Sequence, residues 1–281
     1  MRHPKVTGGD RWIVHERLKR AKYLCSPSEL SAAGRLIVLR EALRRREAQS
    51  PRVRIPLRRG ELCFDPRHGP DWRVYEEVFV RKAYATEFRD KVVLDIGAHK
   101  GLFSAYALSS GARAVHAFEP DPHNCDCLRA SLRSFSARGG LVVADCRAVT
   151  SRTGTRTLNV YDESWSHSLL ARSDKSLLGG IKVSTVSLTT ALVEARSICG
   201  EKERLVVKID AEGSEYEMLL NTPANALSVV DELFLEVHWY AEGDPNMLLE
   251  HLLDSGLCCS GQATFPPRQH TTLHLRRPKD S

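Results

Sequence analysis

Residues 92–104 read Val92-Val93-Leu94-Asp95-Ile96-Gly97-Ala98-His99-Lys100-Gly101-Leu102-Phe103-Ser104. The first five are apolar apart from one acid, and a short apolar run bounded by turn residues predicts a strand buried on both faces. Gly97 and Gly101 then let the chain turn tightly and pass close to a ligand. A helix is expected from residue 102. The spacing is Asp-x-Gly-x-x-x-Gly rather than Gly-x-Gly-x-x-Gly, so the fingerprint of a dinucleotide site is missing. An acid at the strand end suits a cationic ligand without phosphate.

Beyond this stretch, Ala114-Val115-His116-Ala117-Phe118 is a second strand, closed by Phe118-Glu119-Pro120-Asp121-Pro122. Glu119 is placed to accept the hydroxyls of a ribose. Asp121 is expected to cap a helix over about 122–136, with Pro122 in its first position. Leu141-Val142-Val143-Ala144 is a third strand. Residues 150–185 read as short strands and polar loop, and 188–198 as a helix. A strand over 205–209, a helix over about 214–220, a strand over 232–237, a helix over 244–255 and strands near 257–264 and 271–276 complete the chain. This alternation predicts an α/β fold with a mainly parallel sheet, whose ligands gather beyond the carboxyl ends of the strands. Asp95, Glu119, Asp145, Asp210, Glu236 and His238 all fall at such ends.

Upstream, Asp71 is expected to cap a helix reaching about residue 86. Residues 51–66 look extended, with a turn at Arg59-Gly60. Two helices precede them, one over about 10–24 and one opened by Ser26-Pro27-Ser28-Glu29, which reads as a capping box. Residues 1–60 thus read as a helical extension and 61–281 as the main domain.

The chain has 281 residues, 42% hydrophobic and 27% charged, with a net charge of +6. That is a globular balance. Residues 1–60 hold 16 Lys/Arg against 5 Asp/Glu, so the basic excess belongs to the extension and the main domain is mildly acidic. A nucleic-acid enzyme carries its basic surface around the active site, so nucleic acid is disfavoured as a partner. No apolar run reaches the length of a membrane span, and the start lacks the apolar core of a signal peptide. A cytoplasmic protein is expected. The eight cysteines show neither a C-x-x-C pair nor zinc spacing, so reduced thiols and no metal site are expected.

A further stretch, Val207-Lys208-Ile209-Asp210-Ala211-Glu212-Gly213-Ser214-Glu215-Tyr216-Glu217, ends the fourth main strand, and Glu236-Val237-His238 ends the next. Together with DIGAHKG and FEPDP, these motifs resemble the FkbM family of S-adenosylmethionine-dependent methyltransferases, over roughly residues 70–278. The resemblance implies a Rossmann-like class I methyltransferase fold, with a mainly parallel seven-stranded sheet and helices on both faces. It implies S-adenosyl-L-methionine as cofactor and a hydroxyl of a small molecule or glycan as acceptor, of the polyketide, sugar or glycolipid type. The cofactor-binding residues it implies are Asp95, Gly97, Ala98, His99, Gly101, Phe103, Glu119, Pro120, Asp145, Cys146 and Asp210, with Asp145 or Cys146 bordering the adenine. Two departures from the family pattern, Ser187-Leu188-Thr189-Thr190 and Asn221-Thr222-Pro223, lie outside the cofactor motifs.

Methyl transfer to oxygen needs the acceptor in line with the methyl–sulfur bond and a group that takes its proton. His238 is the first candidate base, because imidazole titrates near neutrality. Asp210 is second and Glu212 third. Lys208 reads as a structural partner of a carboxylate, and His99 as bordering the cofactor. Trp165 and His167 belong to a flap over the site or to a surface hairpin. Amino-methyltransferases of nucleic acids carry Asn/Asp-Pro-Pro-aromatic where Asp210-Ala211-Glu212-Gly213 stands here. A non-catalytic binding protein on the same fold, or a methyltransferase acting on nucleic acid or protein, is the alternative.

Overall fold

The computed structural model describes residues 18–44, 53–64, 69–164, 166–200, 203–261 and 263–278. A helix α1 over 18–24 is followed by α2 (Ala32–Arg44), the hairpin β1 (Val53–Pro56) and β2 (Glu61–Phe64), and α3 (Gly69–Tyr75), which runs on as a π-helix over Glu76–Arg81. Then come β3 (Val92–Ile96), α4 (Leu102–Ser109), β4 (Ala114–Phe118), α5 (Pro122–Ser136) and β5 (Leu141–Asp145). Three strands, β6 (Ala148–Thr150), β7 (Gly154–Tyr161) and β8 (Leu177–Ser187), make a small separate sheet. The chain closes with α6 (Leu188–Ser197), β9 (Leu205–Ile209), α7 (Glu215–Leu220), α8 (Ala224–Leu227), β10 (Glu232–Val237), α9 (Pro245–Asp254), β11 (Cys258–Cys259) and β12 (Thr271–Arg276).

The main sheet has seven strands in the order β11-β12-β10-β9-β3-β4-β5. Its five strands from β10 to β5 run parallel, and β12 is antiparallel to both its neighbours. β3, β4 and β9 are buried at every position and lie at its centre. The two-residue period of a strand splits them between two cores. Val93, with α3, α4 and α5, packs one face. Val92, Leu94 and Ile96, with α6, α7 and α9, pack the other. After β5 the chain crosses to β9, so the strand order reverses between β3 and β9, and that reversal opens a crevice at the strands' carboxyl ends.

Local chemistry sets several boundaries as expected. Asp121 caps α5 by accepting from the Asn124 N–H at 2.8 Å, with Pro122 at the first position. The hairpin turns at Arg59-Gly60 and straddles residue 60. It is tied to α5 by N–H bonds from Glu61 to Ser134 Oγ (2.8 Å) and from Cys63 to Ser131 Oγ (3.1 Å).

Other boundaries differ. The helix expected from Ser26 begins at Ala32, where Ser31 Oγ accepts the Gly34 N–H at 3.1 Å. Leu30 is held extended by a bridge to Leu57, which no helical residue can make. The helix expected to run to residue 86 starts at Gly69 and stops at Arg81, where Lys82 adopts φ +55°. Asp71 is fully buried and accepts from Lys100 Nζ at 2.6 Å. Of the strand expected near 257–264, only Cys258–Cys259 pairs. The part of the first helix expected before residue 18 lies outside the described residues.

One cysteine expectation is overturned. Cys125 and Cys146 form a disulfide closing a span of 21 residues. The β4–α5–β5 crossover lays the first turn of α5 beside the residue that follows β5, a proximity that sequence spacing does not reveal. The remaining six cysteines form no disulfide.

Candidate active site

Beyond the carboxyl ends of β3, β4, β9 and β10 lies a cavity of about 440 Å³. Gly97 opens its floor with φ +74°, and a Cβ there would lie 1.7 Å from the Asp210 carbonyl oxygen. Only glycine lets β3 and β9 end this close together. The loop then bends back on β4: Gly97 and Ala98 N–H both donate to the Phe118 carbonyl, at 3.0 and 2.9 Å. His99 follows with φ +50°. Its N–H donates to Glu119 Oε2 at 2.8 Å, while the Asp121 N–H donates to Glu119 Oε1 at 2.9 Å. Burial pushes the Glu119 carboxyl up to about 7. The His99 ring meets Ser164 Oγ at 3.1 Å through Nε2. Its buried Nδ1 has no hydrogen-bond partner among the described residues.

Gly97, Ala98, His99, Phe103, Glu119, Pro120 and Asp210 line this cavity. Asp95, Gly101, Asp145 and Cys146 are not on its wall. Asp95 is fully buried near the end of β3, where Oδ2 accepts the Ser104 hydroxyl at 2.6 Å and Oδ1 lies 3.8 Å from Lys208 Nζ. Gly101 packs against Leu128. Asp145 is taken up by Arg147, which also reaches Glu194. Cys146 is spent in the disulfide.

All three candidate catalytic residues meet at the other end. His238 is 2% exposed, and its Nδ1 lies 2.9 Å from Glu215 Oε1. Its Nε2 lies 3.8 Å from both Asp210 Oδ1 and Glu212 Oε2. Burial opposes charging the ring, but the Glu215, Glu212 and Asp210 carboxylates outweigh it and raise His238 to about 10. An imidazolium has no lone pair to receive a proton, so the premise that made His238 the first candidate base, titration near neutrality, does not hold in this pocket. Glu212 adopts φ +48° and is held by Arg172 Nη1 (2.9 Å) and by the Tyr240 hydroxyl. Burial pushes it up to about 7. Against burial, Lys208 and His238 hold Asp210 low, and Lys208 Nζ donates to Asp210 Oδ2 at 3.0 Å and to the Gly97 carbonyl at 3.1 Å. Lys208 is thereby the carboxylate partner expected from its place in the strand.

The described residues of the connector between β7 and β8 line one side of the cavity. Ser164, Ser166, His167 and Arg172 belong to this side. Ser168 Oγ donates to the Glu212 carbonyl at 2.5 Å, and Arg172 lies over the Tyr240 ring at 3.7 Å. Trp165 lies outside the described residues. Glu77 on the π-helix and Tyr84 after it are among the lining residues outside the candidate set, and Glu236 on β10, expected at a strand end, lines it too. Glu236 carries a visible signal in Glu-x-His. Glu77 carries none, because only packing of its helix against the strand ends brings it here.

The strand order, the single antiparallel strand β12 and the glycine turn after β3 define the class I methyltransferase fold. Residues 95–255 match the Methyltransferase FkbM domain, and the chain belongs to that family. The AMB antimetabolite synthetase AmbE of Pseudomonas aeruginosa is 30% identical over 203 residues, covering 60% of this chain and 10% of the synthetase. The chain therefore spans about a tenth of that relative. The crystal structure of the FkbM methyltransferase from Methylobacillus flagellatus KT is 14% identical, with a TM-score of 0.46 over 94% of this chain and 60% of that one. The ribosomal protein L11 methylase from Lactobacillus delbrueckii subsp. bulgaricus is 12% identical, with a TM-score of 0.42 over 76% of this chain and 84% of that one. Among the described residues, no helix is long and apolar enough to cross a membrane.

Proposed function

We propose that this methyltransferase binds S-adenosyl-L-methionine and transfers its methyl group to a hydroxyl of a small molecule or glycan. The observation that carries this reading is that one cavity joins the Gly97–Phe103 turn and Glu119 to the Asp210, Glu212 and His238 cluster. The residues present fit the cofactor. About 440 Å³ is in the range of small-molecule sites. The left-handed Gly97 carries no side chain at the cavity floor, and His99 on its wall has a buried Nδ1 with no hydrogen-bond partner among the described residues. The wall is rich in carboxylates and offers no phosphate cradle, which suits an ammonium and a sulfonium.

Glu119 and the backbone of residues 97–99 would hold the nucleoside end, and Asp210 the amino acid end. When bound, the cofactor supplies an activated methyl group on sulfonium sulfur. The chain supplies position: the Asp210, Glu212 and His238 end orients an acceptor hydroxyl toward the methyl, with Ser166, His167 and Arg172 on the facing wall. A carboxylate-rich wall favours a neutral, hydroxyl-bearing acceptor over a phosphate-bearing one.

Calorimetric titration tests the first half. Micromolar binding of S-adenosylmethionine and none of NAD is expected; the reverse refutes the reading. Transfer of labelled methyl to hydroxyl acceptors tests the second half.

A further inference from the structure

Glu77, Tyr84 and Glu236 form a group on the cavity wall that the cofactor cradle and the His238 cluster leave unused. The β9–β10 register pairs Leu235 with Ile209, so Glu236 stands beside Asp210, whose carbonyl touches Gly97. Tyr84 Oη donates to Glu77 Oε1 at 3.1 Å and lies 3.5 Å from Glu236 Oε2. The Tyr84 ring is wedged edge-on between Phe103 and Phe234, with centroids 5.4 and 5.9 Å away. The phenol is therefore fixed, with its oxygen beside Glu236. Among the described residues, Tyr84 is the only hydrogen-bond partner of Glu236, so its Oε1 has no protein donor.

Three of the other groups at this end already have partners, while His270 also stands on the wall. Asp210 is paired with Lys208, Glu212 with Tyr240 and Arg172, and His238 with Glu215. We propose that Glu236 is the general base that takes the acceptor's proton, with Tyr84 and Glu77 as positioning residues. This rests on the hydroxyl-acceptor reading above. In the step, the acceptor O–H bond breaks and its proton passes to Glu236 Oε1. The oxygen forms the new C–O bond as the methyl–sulfur bond breaks, and that bond's electron pair stays on sulfur, leaving a neutral thioether. Glu236 then releases the proton to water.

The groups facing Glu236 set its pH range. Glu77 on the π-helix and Asp210 on β9 are negative, while Lys208 on β9 and His238 on β10 are positive; Tyr84 and His270 stay neutral. Burial, Asp210 and Glu77 prevail and push Glu236 up to about 8. A base with that value is ionised only as the pH passes 8.

The test uses the full chain, labelled S-adenosylmethionine, and as acceptor probes the methyl glycosides of glucose, mannose and rhamnose together with phenol. Wild-type kcat/KM should rise about tenfold per pH unit up to about 8 and then level. Glu236→Gln should lose about a hundredfold or more in kcat with cofactor Kd unchanged. Glu236→Asp should keep the pH limb at reduced kcat, and Glu77→Gln, which removes a neighbouring negative charge, should move the limb to lower pH. An active wild type whose Glu236→Gln variant keeps both rate and limb overturns the base assignment alone. A wild type that binds the cofactor yet methylates no probe overturns the hydroxyl-acceptor reading and this proposal with it. Infrared titration without acceptor gives a separate reading: a carboxylic acid band vanishing near pH 8 should be missing from Glu236→Gln, and its persistence there overturns the proposal.

Discussion

The Glu215 carboxylate accepts from the Ala211 N–H, the Gly213 N–H and the His238 ring on one oxygen, Oε1, at 2.9, 3.2 and 2.9 Å. The turn that presents Asp210 and Glu212 and the strand that presents His238 therefore share one fully buried atom. The carboxylates around it hold the His238 ring protonated through neutral pH. Its ring should show no transition between pH 5 and 8 by NMR, and Glu215→Gln should lower its pKa. The folded value, about 10, exceeds the unfolded one of about 6.5. Stability from this group is thus fully present below pH 6.5 and is lost as pH rises through 10. Melting temperature should fall over that window, and less steeply in His238→Gln.

Gly97→Ala should cost about 2 kcal/mol or more in urea unfolding, because a left-handed φ and a backbone carbonyl 1.7 Å away are both fixed. Gly101→Ala should cost less. Its Cβ would meet the flexible end of Leu128 at 2.7 Å, although φ is +83°.

Glu119 and Asp95 should respond differently to alanine. Glu119 lines the cavity, so Glu119→Ala should weaken S-adenosylmethionine binding at least about tenfold by calorimetry. Asp95 lies behind the wall and supports Ser104 and Lys208. Asp95→Ala should therefore appear chiefly as lost stability, leaving the Lys208 ammonium with one carboxylate fewer.

Lys100 and Asp71 form an ion pair at 2.6 Å, 4% and 0% exposed. Lys100→Met leaves a carboxylate in the core, and breaking such a pair costs about 3–5 kcal/mol. Denaturant unfolding should show that loss, with Lys100→Met/Asp71→Leu recovering much of it.

Reduction should also be visible. Closing 21 residues by a disulfide stabilises by about 3 kcal/mol in the chain-entropy account. Melting temperature should fall on adding dithiothreitol to the wild type and stay constant in the Cys125→Ser/Cys146→Ser variant.

The parts legible in the sequence are those encoded locally. The apolar runs of β3, β4 and β9, the glycines after β3, and Asp121-Pro122 each specify their own conformation within a few residues. The strand-end rule then collects Glu119, Asp210 and His238 in one place. What escaped depends on distant partners. Leu30 is extended because Leu57 pairs with it, Cys125 meets Cys146 through a crossover, and Asp95 is covered by Ser104 and Lys208. The protonation of His238 follows from three carboxylates that only the fold assembles.

A π-helix is an α-helix carrying one residue too many per turn. The surplus residue at Glu76–Arg81 advances everything after it by about 100° around the axis relative to regular helix. Glu77 and Val78 face the cavity from within this segment. Deleting one residue there would restore regular winding, yet it would shift the register of Glu77 and Val78 on the wall, and with Glu77 the carboxylate that Tyr84 bonds. A shorter, better-wound helix would thus be a poorer wall, and the irregular turn is the part of this helix that a stabilising redesign should leave intact.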